Sequence, residues 1–180
     1  MVHLRARYGG RVDVTVEPLR HEHAAAIVAA EDDETIRWLS GGRSTVVGTE
    51  AYVDRLAREA AAGAGKRAFA VLVDGDCVGT IDYDPDVHDG LDPGDVNIAY
   101  GIAPWMRGRG VTAIAIAQVC DRIRSGGVGT RAAIRADVRN TASAKVAERT
   151  GFTFVREFAS TTDTDADGRP VRFRLFVRTL

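Results

Sequence analysis

The stretch "APWMRGRGVTAIA" (Ala103–Ala115) alternates Arg107 and Arg109 with Gly108 and Gly110, behind a proline and ahead of an apolar run. From Val111 onward Ile114, Ala115, Val119 and Ile123 recur at helical spacing, while Asp121, Arg122 and Arg124 mark a solvated side, so a helix starts here and Gly126-Gly127 stops it. The first amides of a helix lack intrahelical partners and carry about half a positive charge, which suits a phosphate once side chains stay out of the way. Gly108 and Gly110 remove those side chains, Arg107 and Arg109 add positive charge, and Pro104 helps end the preceding segment. A pyrophosphate would fit this turn. By spacing alone, a merely flexible turn with solvated arginines accounts for the same residues. The stretch lacks the Gly-Lys-Ser/Thr ending of a nucleotide P-loop and does not match G-x-G-x-x-G.

Upstream, "VNIAYGI" (Val96–Ile102) is a mostly buried strand behind an acidic, Gly- and Pro-bearing loop from Asp84 to Asp95. Ala68–Val73 and Cys77–Tyr83 are two strands joined at Asp74-Gly75-Asp76, where an Asp-Gly pair supplies a tight hairpin. Ala24–Ala30 and Glu50–Ala62 are helices flanking the GGRST loop, and "VDVTV" (12–16) is a strand closed by Pro18. Downstream come the strand "RAAIRADV", the helix "NTASAKVAERTG" with an Asn or Thr cap, the strand "FTFVREF", and a half-exposed strand alternating Val171, Phe173, Leu175 and Val177 with arginines. This order predicts one mixed α/β sheet with helices on both faces.

With 180 residues, 45% of them hydrophobic, the chain is long enough for one substantial core, so residues 1–180 are expected to form a single domain. A formal net charge of −1 argues against nucleic acid or anionic lipid as a nonspecific partner. The N-terminal MVHLRARYGG is basic without an apolar segment behind it, and no run is long enough to span a membrane, which predicts a soluble cytoplasmic protein. Cys77 and Cys120 lie far apart among apolar neighbours and are expected to be buried free thiols. Asp163-x-Asp165-x-Asp167-Gly168 copies half of a calcium loop, but Arg174 stands at its twelfth position and a hairpin turn is expected instead; no metal is predicted. His21, His23 and His88 show no ligand spacing.

The Arg107-x-x-Gly110 turn, the preceding NIAYGIAP, and Asn140-Thr141-Ala142-Ser143 followed by Gly151-Phe152 together resemble the GNAT N-acetyltransferase superfamily. "LRHEHAAAI" and RNTASAKVAERTGF look most like its ribosomal-protein N-terminal acetyltransferase branch. The resemblance covers nearly the whole chain. It implies the GNAT fold: a mostly antiparallel sheet of about six or seven strands, splayed at the cofactor site between the fourth and fifth, with about four flanking helices. It implies acetyl-CoA as cofactor, held through backbone groups around Gly101, Ile102 and Ala103 for the pantetheine arm. Arg107, Gly108, Arg109, Gly110, Val111 and Thr112 would hold the pyrophosphate, and Asn140 would complete the site. A free N–H on the fourth strand would stabilise the oxyanion as an amine attacks, without a covalent enzyme intermediate. The implied acceptor is a primary amine of a protein N-terminus or a small molecule, and relatives often pair as homodimers.

Three departures bear on chemistry. Thr112 stands where the loop pattern usually has Gly or Ala, and is expected to be tolerated. Ala147 stands where many relatives carry the Tyr that protonates the leaving thiolate, which leaves Ser143 as a candidate donor. Asn97 stands where the suspected branch often has a Glu base, and an amide takes no proton at neutral pH. A water relayed through Asn97, or Asp82, Asp84 or Asp95, would then serve. Asp82 and Asp84, with Asp86, Asp89, Asp92 and Asp95, are expected to make the acceptor side acidic and attract a cationic amine, and Trp38 to line the acceptor pocket or simply to pack. The missing Tyr and Glu also keep open a noncatalytic acyl-CoA-binding or regulatory module, and Thr112 a different acyl donor.

Overall fold

Short β-branched runs punctuated by Gly, Asp and Pro become strands, here β1 (Val14–Pro18), β2 (Arg67–Val73), β3 (Asp76–Asp84), β4 (Asp95–Ile102), β5 (Arg131–Asp137), β6 (Thr153–Thr164) and β7 (Pro170–Thr179). The computed structural model describes residues 13–180, so the basic N-terminal stretch and Val12 lie outside the described residues. All seven strands join one sheet in the order β1-β2-β3-β4-β5-β7-β6. Every neighbouring pair is antiparallel except β4 and β5, which run parallel and pair only where Asp95, Val96 and Asn97 meet Arg131, Ala132 and Ala133. Beyond Asn97 the two strands part, and the sheet is split at its centre.

Among the described residues, five α-helices accompany the sheet: α1 (Ala24–Ala30), α2 (Asp33–Thr35), α3 (Val46–Ala61), α4 (Val111–Ser125) and α5 (Thr141–Arg149). The one beyond the expected four is α2, which continues into a π turn over Ile36–Ser40; Asp32 caps it by accepting from the Thr35 amide, and Gly41 closes it at a φ of 69°. Helix α3 starts at Val46, ahead of the expected Glu50, because the Thr45 hydroxyl accepts from the Gly48 amide. The Asp74-Gly75 hairpin is present, with both residues at positive φ. Asp165–Gly168 forms the β6–β7 turn, with the Gly168 amide donating to Asp165 O.

Residues paired across antiparallel strands share a face. One face carries Val16, Phe69, Val71, Ile81, Ile98 and Ile102, and α4 packs on it through Val111, Ala115, Ile116, Val119, Cys120 and Ile123. Complete burial of Ile116 and Ile123 contributes roughly 2 kcal/mol each. Gln118 fixes the register of helix on sheet, since its amide bonds both Val14 O and the Val16 N–H. Ile114, expected in this stripe, lies beside it and is 41% exposed. The opposite face carries Asp82, Asp84, Asn97, Ala99 and Gly101, followed on β5 by Ala133, Arg135 and Asp137. Helices α1 and α3 cover its β2–β3 portion. Cys120 is buried and Cys77 half-buried, both as free thiols. No helix among the described residues is long and apolar enough to cross a membrane.

Candidate active site

The split between β4 and β5 opens onto the N-terminus of α4. Gly108 and Gly110 have φ of 74° and 81°, and a Cβ built on either meets nothing within 4 Å. Their left-handed backbone favours glycine, and the space before them is clear. Gly110 is the helix cap and offers no side-chain bond, so the first intrahelical bond runs from the Ile114 amide to Gly110 O and the amides of Val111 and Thr112 belong to the uncapped first turn. These residues fit a phosphate-bearing ligand. Along β4, the Ala103 amide donates to Val78 O on β3 at 2.8 Å. Backbone alternation then turns Tyr100 and Ile102 toward the split and Gly101 toward β3. Of Gly101, Ile102 and Ala103, the Ile102 backbone is thus the one turned to the split.

The Arg107 side chain is engaged within the protein. Its guanidinium forms a two-pronged pair with Asp32 at 2.7 and 2.8 Å, donates to Thr35 Oγ1, and through Nε donates to Ile102 O. The Arg107 bonds hold the Asp32 carboxyl well below the usual carboxylate range. The positive charge of Arg107 is thus neutralised within the protein, and the clamp ties the 32–40 segment to the glycine turn. That segment also brings Leu39 over Gly101, where an added Cβ would approach Leu39 to 2.7 Å. Trp38 is half-buried between two guanidinium groups, with Arg37 4.4 Å and Arg139 5.7 Å from its ring centre.

Most of the aspartates expected to make the acceptor side acidic are ion-paired. Asp89 pairs with Arg135 at 2.8 Å, Asp92 with Arg131 and Arg156, and Asp95 with Arg131 at 2.6 Å. Asp86 accepts from the Gly65 amide, and Lys66 Nζ lies 3.5 Å from Asp82 and 3.9 Å from Asp84. The cations facing the loop come from β5, β6 and the residue before β2, elements distant in sequence. Asp95 is buried under Arg131, which engages its carboxylate. Asp82 differs from the rest: burial pushes its carboxyl up to about 6 despite Lys66. On Lys66, burial is outweighed by Asp82, Tyr52 and Asp84, and its pKa lies above the ordinary lysine value. An open cleft on this same face, between the β3–β4 loop and β6, is lined by Val87, His88, Gly90, Arg135, Phe158 and Thr161.

On the other side of the split, Tyr100 Oη and Ser143 Oγ are 3.0 Å apart, and burial pushes the Tyr100 phenol up to about 12. Ala147, one turn after Ser143, is fully buried, so its methyl packs where a larger side chain would be. Asn140 caps α5 by accepting from the Ser143 amide, which commits its side-chain oxygen to holding that helix. The Tyr100–Ser143 contact escapes sequence reasoning because it joins residues 43 positions apart. Elsewhere, Glu17, Glu22 and His23 converge. There the Arg20 amide donates to His23 Nδ1, so Nε2 carries the proton toward Glu17, and the Arg20 guanidinium lies against both glutamates. The cluster is a closed hydrogen-bonded junction between β1 and α1.

A split sheet with a side-chain-free, uncapped helix start at its mouth defines a protein of the acyltransferase class. The chain belongs to the GNAT acetyltransferase family: the family model described as "Acetyltransferase (GNAT) domain" matches residues 13–153. Solved structures share the fold. An acetyltransferase from Salmonella typhimurium that modifies the N-terminal serine of a 50S ribosomal subunit protein aligns at a TM-score of 0.76 and 16% identity, over 93% of this chain and 95% of that one. RimJ from Mycobacterium smegmatis, in complex with CoA disulfide, aligns at 0.77 and 23% identity over 94% and 84%. The microcin self-immunity acetyltransferase MccE, in complex with acetyl-CoA and AMP, aligns at 0.77 and 14% identity over 93% of each chain. No curated protein matches the sequence significantly.

Proposed function

We propose that the chain acts as one domain to transfer the acetyl group of acetyl-CoA directly to a primary amine of a protein N-terminus or a small molecule. The observation that carries this reading is the left-handed Gly108–Gly110 turn opening, without a cap, at the mouth of the β4–β5 split. Amides of Gly108 to Thr112 would cradle the pyrophosphate with the α4 dipole behind them. Backbone groups of Tyr100 and Ile102 would line the pantetheine arm, and one N–H turned to the split would stabilise the oxyanion. Ser143, backed by Tyr100 at 3.0 Å, would give the departing sulfur its proton. The acceptor enters from the opposite face, past Trp38 and the Asp82–Asp84 edge.

Calorimetric titration with acetyl-CoA, followed by CoA-release assays over amino-terminal peptides, amino acids, polyamines and aminoglycosides, tests the proposal. Saturable binding together with turnover on at least one amine is the expected result. Binding without turnover on any amine would make the chain an acyl-CoA-binding module. Turnover only with longer acyl-CoA would reassign the donor.

A further inference from the structure

The acceptor amine arrives at neutral pH mostly as an ammonium, with a pKa near ~10, and must lose a proton before its nitrogen can attack. Asn97 cannot take that proton. On the same face of the sheet, Asp82 sits directly across from Ala99, and Asn97 across from Asp84, which makes Asp82 and Asn97 diagonal neighbours on adjacent strands. Asp82 Oδ1 and Asn97 Oδ1 are both buried and accept no hydrogen bond, although Lys66 Nζ lies 3.5 Å from Asp82 Oδ1 as an ion pair. Buried acceptor oxygens that accept no hydrogen bond are costly unless something else supplies the protons. An ammonium has three to give.

We propose that Asp82 is the proton acceptor of the transfer reaction, with Asn97 Oδ1 helping to seat the acceptor ammonium beside it. This rests on the acetyltransferase reading above. One proton passes from the ammonium to Asp82 and on to solvent. The freed nitrogen pair forms the C–N bond to the acetyl carbon, and the C–S bond breaks with its pair on sulfur. The second nitrogen proton balances the one that ends on the CoA thiol, so the products are an amide, CoASH and one released proton. The groups facing Asp82 set its readiness: Lys66 at 3.5 Å, Tyr52 of α3 beside that lysine, and Asp84 one pleat along β3. Lys66 is then a positioning residue that keeps the buried carboxylate available near neutrality.

The test combines three readouts on the whole chain: the pH dependence of kcat/KM, the acetyl-CoA Kd, and carboxyl NMR titration of Asp82 in the substrate-free protein. In the parent, the acidic limb of kcat/KM should coincide with the NMR titration of Asp82. Lys66→Met should move both upward together, because the stabilising cation is gone. Asp82→Asn should lose on the order of 10²-fold or more in kcat/KM, keep the acetyl-CoA Kd within about twofold as proof of folding, and lose the limb. An Asp82→Asn protein that retains the parental limb, or a limb that stays put in Lys66→Met while the NMR titration moves, overturns the proposal. Failure of the parent to bind acetyl-CoA sinks the acetyltransferase reading itself, and the binding measurement separates that outcome from the others.

Discussion

Gly110 and Gly75 permit a matched test of what the glycine turn is for. Their φ values are 81° and 88°, and an added Cβ at either meets nothing within 4 Å. In the substrate-free protein, Gly110→Ala and Gly75→Ala should therefore cost the same: an L-residue in left-handed backbone loses roughly 1–2 kcal/mol, or about 2–8 °C in Tm for a chain of this size. They should part company with acetyl-CoA. At Gly75 the methyl sits on the tip of the β2–β3 hairpin, away from the split, and the Kd should not change. At Gly110 it projects from the cap residue of α4 into the space a phosphate would take. Losing one charge-assisted amide–phosphate bond costs about 1.5–3 kcal/mol, so the Kd should weaken roughly 10- to 100-fold. Differential scanning fluorimetry and calorimetric titration on both variants supply the comparison. Equal Kd values for the two would refute the assignment of this turn to the pyrophosphate.

Ser143→Ala should lower kcat by about 10²-fold and Tyr100→Phe by up to about tenfold, each with the acetyl-CoA Kd unchanged, as single-turnover CoA release would show. Asp82, raised from the ordinary 3.8 to about 6, holds its proton longer folded than unfolded, so ionising it weakens the fold progressively between about pH 4 and 6. The stability of Asp82→Asn relative to the parent should accordingly rise with pH across that window in urea unfolding. Thr45→Ala removes the α3 cap and should lower stability by about 1 kcal/mol without touching acetyl-CoA binding.

What the sequence disclosed and what it concealed divide along chain distance. The Asp74-Gly75 hairpin, the α4 start at Gly110 and the Asn140 cap are local devices, decided by residues within a few positions of one another. The π turn after α2 was equally local, announced by Asp32 and Thr35, yet its eight residues were too few to show a helical period. Ile114 fits the apolar spacing of α4 as well as its neighbours do, and only the position of the sheet decides that it stays outside. The insertion of β7 between β5 and β6 depends on pairings no spacing reveals. Charge was the least legible property. Arg107 finds its partner 75 residues upstream, and Asp89 finds Arg135 46 residues downstream, so each carries much less free charge in the folded chain than its own loop suggests. The glycines were the better guide because their message is about backbone shape, which neighbours far along the chain do not cancel.

The Asp32–Arg107 clamp has a consequence for anyone who would retarget this enzyme. Trp38, which on the proposed reading borders the acceptor's path, and Leu39 beside it ride on a segment bolted through Asp32 to the residue that opens the glycine turn. On that reading acceptor and donor preferences would not be independent dials. A library built at positions 36–40 would then sample donor affinity whether intended or not, and by the reciprocity of linked binding an acceptor that tightened that segment would also tighten the grip on acetyl-CoA.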